Sequence, residues 1–188
     1  RLSTYAGIKD IDMGEGDDVV GLHTGASAKR AIMGAGNDEF DGSDGNDTVD
    51  GGPGDDFLPV SSGDDKVTDL EGANLVYGGA GNDTLTTGPG SDEVRGEDGN
   101  DVLVDGGNDG RPRQGAGPQQ YIWGGSGDDT ITVNGSTPVE DNVTGDAGKD
   151  VIRTGAGAQS IQGGDGNDDI DGGAGEDRIN GGNDDDTL

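Results

Sequence analysis

Single large apolar residues recur along this chain at intervals of nine. The stretch GGAGNDTLT, residues 78–86, shows the unit: three glycines, an Asn-Asp pair and one large apolar side chain, Leu85. TGPGSDEVR follows at 87–95 and GEDGNDVLV at 96–104, while GSDGNDTVD at 42–50 and GGPGDDFLP at 51–59 precede it. GGDGNDDID at 163–171 and GGAGEDRIN at 172–180 repeat it near the end. The unit reads Gly-Gly-x-Gly-x-Asp-x-apolar-x. Weaker copies carry the register to 4–12, 13–21, 33–41, 60–68, 69–77, 124–132, 136–144, 145–153, 154–162 and 181–188.

The eighth position then holds Ile11, Val20, Phe40, Val49, Leu58, Val67, Val76, Leu85, Val94 and Leu103. It continues with Ile122, Ile131, Val143, Ile152, Ile161, Ile170, Ile179 and Leu188. All are apolar, and this column is the expected core. The last three residues of each unit predict a short strand that points out, in, out. The first six predict a turn. Glycines at positions two and four supply positive φ and let carbonyl oxygens converge without Cβ crowding. These are Gly14, Gly16, Gly34, Gly36, Gly45, Gly52, Gly54, Gly63, Gly79 and Gly81, then Gly99, Gly125, Gly127, Gly148, Gly164, Gly166, Gly173 and Gly175.

Composition sharpens the question of what holds such a chain together. Hydrophobic residues are 27% of the 188, against roughly 45–50% apolar in a soluble fold. Forty acidic residues face 11 Lys and Arg, for a formal charge of −29. Low hydrophobicity with high net charge is the signature of disorder. Cysteine is absent, so no disulfide replaces the missing core. Cations are left as the cross-link. The same field repels phosphate and disfavours nucleic acid as a partner. No stretch has the length of a membrane span, and no N-terminal signal peptide is visible. Arg1 and Leu188 read as the cut edges of a longer protein.

An Asp at position six beside converging carbonyls makes a hard-cation site. Calcium takes about 6–8 oxygen ligands and tolerates irregular geometry, whereas magnesium prefers a strict octahedron with retained waters. Transition metals find only His23 as a soft or imidazole ligand.

GGPGDDFLP, GGAGNDTLT, GGDGNDDID and GGAGEDRIN resemble the RTX nonapeptide, the calcium-binding β-roll repeat of secreted bacterial proteins. The resemblance covers nearly the whole chain. It implies an all-β fold, a right-handed parallel β-roll (β-solenoid) with two nonapeptides per 18-residue turn. Several calcium ions would sit between turns stacked 18 residues apart. It also implies export through a type I secretion channel; the usual C-terminal secretion signal is not in this segment.

Alternate repeats should then share an edge of the roll. One edge carries Asp47, Asp65, Asp83, Asp101, Asp129, Asp150, Asp168 and Asp186, an unbroken series expected to bind calcium between each successive pair. The other carries Asp18, Asp38, Asp56, Asn74, Asp92, Gln120, Asp141, Gln159 and Asp177. Asn74 keeps an oxygen but loses the charge, and Gln120 and Gln159 sit in turns with poor glycine patterns. This series is expected to be partly vacant, with Asp18, Asp38 and Asp56 as its intact part.

Residues 22–32, LHTGASAKRAI, form an overlong repeat without Asp and with Lys29 and Arg30 near the site; this turn is expected to bind no metal, its own cations being candidates to replace one. Residues 105–120, DGGNDGRPRQGAGPQQ, read as a protruding loop, and 133–135 as a small bulge. The repeat resumes after each, so residues 1–188 read as one roll segment. Roughly ten turns at about 4.8 Å make a rod about 50 Å long. Its open ends suggest neighbouring repeats, a missing cap or end-to-end association.

No catalytic set stands out. His23, with Thr24 and Ser27 nearby only in sequence, reads as a surface residue on an irregular turn. Acidic pairs such as Asp17–Asp18 have the makings of a general acid and base, but bound calcium would already claim one of each pair. Tyr121 and Trp123 flank Ile122 and should point outward, with Tyr77 in the same column about 10 Å away. With Arg111 and Arg113 in the adjoining loop they form either a small glycan or partner platform, or the bed on which that loop packs. The function expected is therefore structural and not enzymatic. It is a calcium-folded roll of a secreted or cell-surface protein: a surface-layer, adhesin or filament component. The alternatives are an accessory C-terminal module of a secreted protease, lipase or polysaccharide epimerase, or a glycan-binding module.

Overall fold

The computed structural model describes residues 2–4, 10–22, 28–108, 119–135 and 141–188. His23, Thr24, Ser27, Arg111 and Arg113 lie outside them, as does most of the predicted loop at 105–120. The described residues are strands and turns only, with no helix long and apolar enough to cross a membrane.

The strands form two parallel sheets. The first holds Leu2–Thr4, Val19–Leu22, Glu39–Asp41, Phe57–Pro59, Leu75–Ala80, Glu93–Asp98, Gln120–Ser126, Asp141–Ala147, Gln159–Asp165 and Arg178–Asn183, in that spatial order. The second holds Asp10–Asp12, Arg30–Ile32, Thr48–Asp50, Lys66–Asp69, Thr84–Thr87, Val102–Asp105, Thr130–Val133, Val151–Thr154 and Asp169–Asp171. The chain alternates between sheets, so each strand pairs with those one full turn away. Leu85 stands opposite Val67 on one side and Leu103 on the other, 18 residues away in each case. This is a parallel β-solenoid whose turn is two nonapeptides.

Irregular repeats are absorbed without loss of register. Val94 pairs with Ile122 across the long insertion, and Ile11 with Ala31 across the overlong repeat. Ala31, not Ile32, is the inward residue there; it is buried while Ile32 is only half-buried.

The eighth-position column forms the core, from Ile11 and Val20 through Leu85 to Ile170. The last two members depart from expectation. Ile179 is 36% exposed and Leu188 68%. No described strand stacks beyond them to cover them. Burial at about 25 cal/mol per Å² is the usual stabilising term, but one such side chain per nine residues supplies little of it.

A second inward column was not foreseen. Position one of the repeat also faces the interior. Where it is not glycine it adds buried Met33, Val60 and Val133 to the core, or places buried Asp69, Thr87, Asp105 and Thr154 inside the roll.

Candidate metal centres

The turns lie along the two edges where the chain passes between sheets. Each of the eighteen glycines expected at positions two and four has positive φ, from +71° at Gly173 to +151° at Gly175. In some turns the conformation is kept by residues other than glycine, while Ser43, Leu70, Gly88, Gly90 and Gly155 at the same positions do not adopt it. Ser61, Glu97 and Asp146 at position two, and Asp184 at position four, have φ of +76° to +82°.

On the first edge the position-six carboxylates form one continuous ladder. Asp65 N–H donates to Asp83 Oδ1 at 2.7 Å, Asp83 to Asp101 at 2.7 Å, and Asp101 to Asp129 at 2.7 Å. The series continues from Asp129 to Asp150, Asp150 to Asp168 and Asp168 to Asp186, and it begins with Asp47 donating to Asp65. Each carboxylate therefore spends one oxygen on the backbone of the preceding turn. The second oxygen, Oδ2, is buried without a hydrogen bond in Asp47, Asp65, Asp83, Asp101, Asp129, Asp150 and Asp168. A row of buried, unpaired anionic oxygens is costly unless a cation satisfies it.

The position-one glycine is the part that the sequence reading missed. A Cβ at Gly96 would stand 2.2 Å from Asp101 Oδ2 and 2.5 Å from the Gly124 carbonyl oxygen of the next turn. Gly78, Gly124, Gly145 and Gly163 repeat the arrangement with Asp83, Asp129, Asp150 and Asp168. The free carboxylate oxygen packs directly over this glycine, beside a carbonyl of the following turn. Among the described residues no three His, Cys, Asp or Glu side chains converge as a metal cluster. Backbone carbonyls must complete the coordination, which suits calcium better than a transition metal.

Burial raises these carboxyls, against the lowering effect of the N–H each accepts and with help from neighbouring aspartates. Asp65 and Asp129 reach about 7, and Asp101 and Asp150 about 6. Asp83, Asp47 and Asp168 also shift upward, chiefly by burial.

The second edge is less regular. Asp18 N–H donates to Asp38, Asp38 to Asp56, Asp56 to Asn74 Oδ1, and Asn74 to Asp92. Gln159 N–H donates to Asp177 Oδ1. Gln120 and Gln159 are buried, Gln120 against the Asp105 carboxyl and Gln159 against that of Asp141, and each opposes the upward shift that burial gives its neighbour. Position one here carries Met13, Met33, Gly51, Asp69, Thr87, Asp105, Val133, Thr154 and Gly172, so most counterparts of the first edge's small cradles are filled.

Lys29 stands in the ladder at the overlong repeat. Its N–H donates to Asp47 Oδ1 at 2.7 Å, its ammonium is buried without a hydrogen bond, and its charge opposes the upward shift of Asp47. Arg30, the other cation of that repeat, is exposed.

Position five forms an outer ladder that runs the opposite way. Asn82 N–H donates to Asp64 Oδ1 and Asn100 N–H to Asn82 Oδ1, both at 2.9 Å. Asp128, Lys149 and Asp185 donate to Asn100, Asp128 and Asn167 in the same manner. The recurring Asn-Asp pair is its sequence signal. One residue ties each turn to the next, and its neighbour ties the turn to the one before.

Tyr121 and Trp123 are half-buried and stack on each other at 5.4 Å, 8° from parallel. Tyr77 and Trp123 share a column, with Arg95 between them in register. Its guanidinium lies 5.3 Å from the Tyr77 ring and 4.6 Å from Trp123. The three form one packed stack.

A parallel solenoid whose turns are bound by buried carboxylates and glycine carbonyls is the architecture of a cation-dependent repeat protein. The family model described as the RTX calcium-binding nonapeptide repeat (4 copies) matches residues 34–58, 60–94, 86–109, 121–136, 140–158 and 154–188. The chain belongs to this family, and its fold is a calcium-binding β-roll. No curated protein and no solved structure matches it.

Proposed function

We propose that the roll is a calcium-folded structural segment of a secreted or cell-surface protein. One observation supports it above others: the row of buried Oδ2 atoms, from Asp47 to Asp168, that no protein group satisfies. A chain of charge −29 closes around such a row only when cations enter it. Binding and folding are then one event. Extracellular modules work with individual sites as weak as about 10⁻⁴–10⁻³ M. Such a chain stays open at low intracellular calcium, passes an export channel unfolded, and closes outside. The roll itself is then the building material of a surface layer, adhesin or filament. Service as an accessory module of a secreted enzyme is the second reading, favoured by the same calcium sites. A glycan platform at Tyr121 and Trp123 has less support, because Arg95 and Tyr121 already pack against the indole.

The test is a calcium titration followed by circular dichroism, with magnesium as control and sedimentation on the same samples. A cooperative coil-to-β change with calcium alone is expected, and growth of larger species would favour the assembly role. Full β-structure in excess chelator above pH 7, where the carboxylates are ionised, would sink the calcium-folding mechanism.

A further inference from the structure

The second edge loses its position-six charge at Asn74, yet the same repeat gains a carboxylate at position one, Asp69. Asp69 is fully buried, and neither of its oxygens makes a hydrogen bond of normal geometry. No other described aspartate has both oxygens in that state.

Its location has a counterpart on the first edge. There Gly78 lies under Asp83 Oδ2 at 2.4 Å and the Gly96 carbonyl oxygen at 2.8 Å from the place of a Cβ. On the second edge the corresponding glycine is Gly51. The place of its Cβ lies 2.7 Å from Asp56 Oδ2 and 2.6 Å from Asp69 Oδ2. Asp69 is the position-one residue of the next turn, as Gly96 is relative to Gly78. Its carboxylate therefore stands where the first edge offers a neutral carbonyl. The charge missing at Asn74 has moved to the inner wall of the same rung.

We propose that Asp69 and Asp56 hold a calcium ion inside the roll at this rung, in a site built from positions one and six in place of the usual carbonyls. This rests on the reading of the chain as a calcium-folded roll. Asp56 Oδ2 and the Asp69 carboxylate, which the Glu71 N–H approaches from one side, supply the anionic ligands, and the turn carbonyls complete the shell. Asn74 Oδ1 accepts the Asp56 N–H at 3.0 Å, so the amide keeps the ladder's hydrogen bond while Asp69 carries the charge. Ionised together and without a cation, the two carboxylates repel. Burial first, and then the Asp56 and Asp92 charges, push the Asp69 carboxyl up. The competing occupant is thus a proton.

The experiment counts bound calcium per chain by equilibrium dialysis, on the full chain at neutral pH. The isosteric variant Asp69→Asn is expected to bind one ion fewer than the parent. The double variant Asp69→Gly/Asn74→Asp, which returns the charge to position six, is expected to regain it. An unchanged count in Asp69→Asn, with folding at lower calcium than the parent, overturns the proposal and leaves Asp69 a buried acid. Should Asp69→Asn fail to fold, anomalous scattering from calcium-grown parent crystals decides: a peak between Asp56 and Asp69 supports the site, and its absence overturns it. A parent that binds no calcium at all sinks the underlying reading. A parent with ions along the Asp83–Asp168 ladder alone sinks only this site.

Discussion

Replacing Gly96 with Ala tests whether the first-edge carboxylates are ligands. Gly96 is not in the left-handed region, so its backbone tolerates a side chain. The added methyl would stand 2.2 Å from Asp101 Oδ2 and 2.9 Å from its Cγ. The carboxylate cannot simply swing aside, because Oδ1 is held by the Asp83 N–H at 2.7 Å. Overpacking of this kind costs about 1–3 kcal/mol. An ion lost from a site that calcium fills at ~100 times its Kd removes about 2.7 kcal/mol more. Gly96→Ala should therefore lose about 4–6 kcal/mol at saturating calcium and bind one ion fewer. Gly21→Ala is the control: nothing lies within 4 Å of its Cβ position, and its φ is not positive. Denaturant unfolding in saturating calcium, with ion counting on the same samples, reads both quantities. If Gly96→Ala keeps the parent's ion count and calcium midpoint, the Asp101 carboxylate is not a ligand and the reading of the ladder is wrong.

Protons compete for the same oxygens. Burial raises Asp65 and Asp129 to about 7 in the folded chain, so the metal-free roll binds protons that the unfolded chain releases. In chelator, its stability should rise as pH falls from about 7 towards 4, while the calcium midpoint moves to higher calcium over the same range; circular dichroism at several pH values checks both. Asp129→Asn keeps an acceptor for the Asp101 N–H and should shift only the calcium midpoint. Asp129→Ala strands that buried N–H and should cost about 1–3 kcal/mol more in thermal unfolding. Glu97, exposed and held at φ +78°, should gain about 1–2 kcal/mol on replacement by Gly. Lys29→Gln removes the cation beside Asp47 and should raise the calcium needed for folding; an unchanged midpoint would show that the ammonium does not substitute for an ion.

The period of nine made most of this fold legible. Each unit holds one large inward residue, so a single column predicted the core, while the 18-residue pairing of Leu85 with Val67 and Leu103 followed from the resemblance to the RTX repeat. The position-two and position-four glycines were legible for a similar reason, because positive φ selects against other residues. Position one was not. Its glycine has ordinary φ, and its requirement comes from a carboxylate five residues later, a contact that exists only once the turn closes. The outer ladder was hidden for another reason: Asp and Asn at position five look like ordinary solvated polar residues. Ile179 shows the remaining limit, since burial of a solenoid residue depends on the turn stacked above it.

The two edges differ through position one rather than position six. On the first edge position one is glycine beside Asp47, Asp83, Asp101, Asp129, Asp150, Asp168 and Asp186, and only Val60, beside Asp65, departs from it. Carboxylates can pack there against bare backbone and keep an oxygen free. On the second edge Met33 fills that place with apolar volume, and Thr87 donates to Asp105 Oδ2 at 2.6 Å, so that this oxygen has a partner within the protein. At Met33 and Thr87 the cradle is held by burial or by a hydrogen bond that needs no metal. Stability should accordingly divide along the long axis of the turn. The first edge should open first when calcium is withdrawn, and the stretch around Met33 and Phe40 should hold longest. Hydrogen exchange during slow chelation would reveal that order, and loss of protection at Phe40 before Leu85 would contradict it.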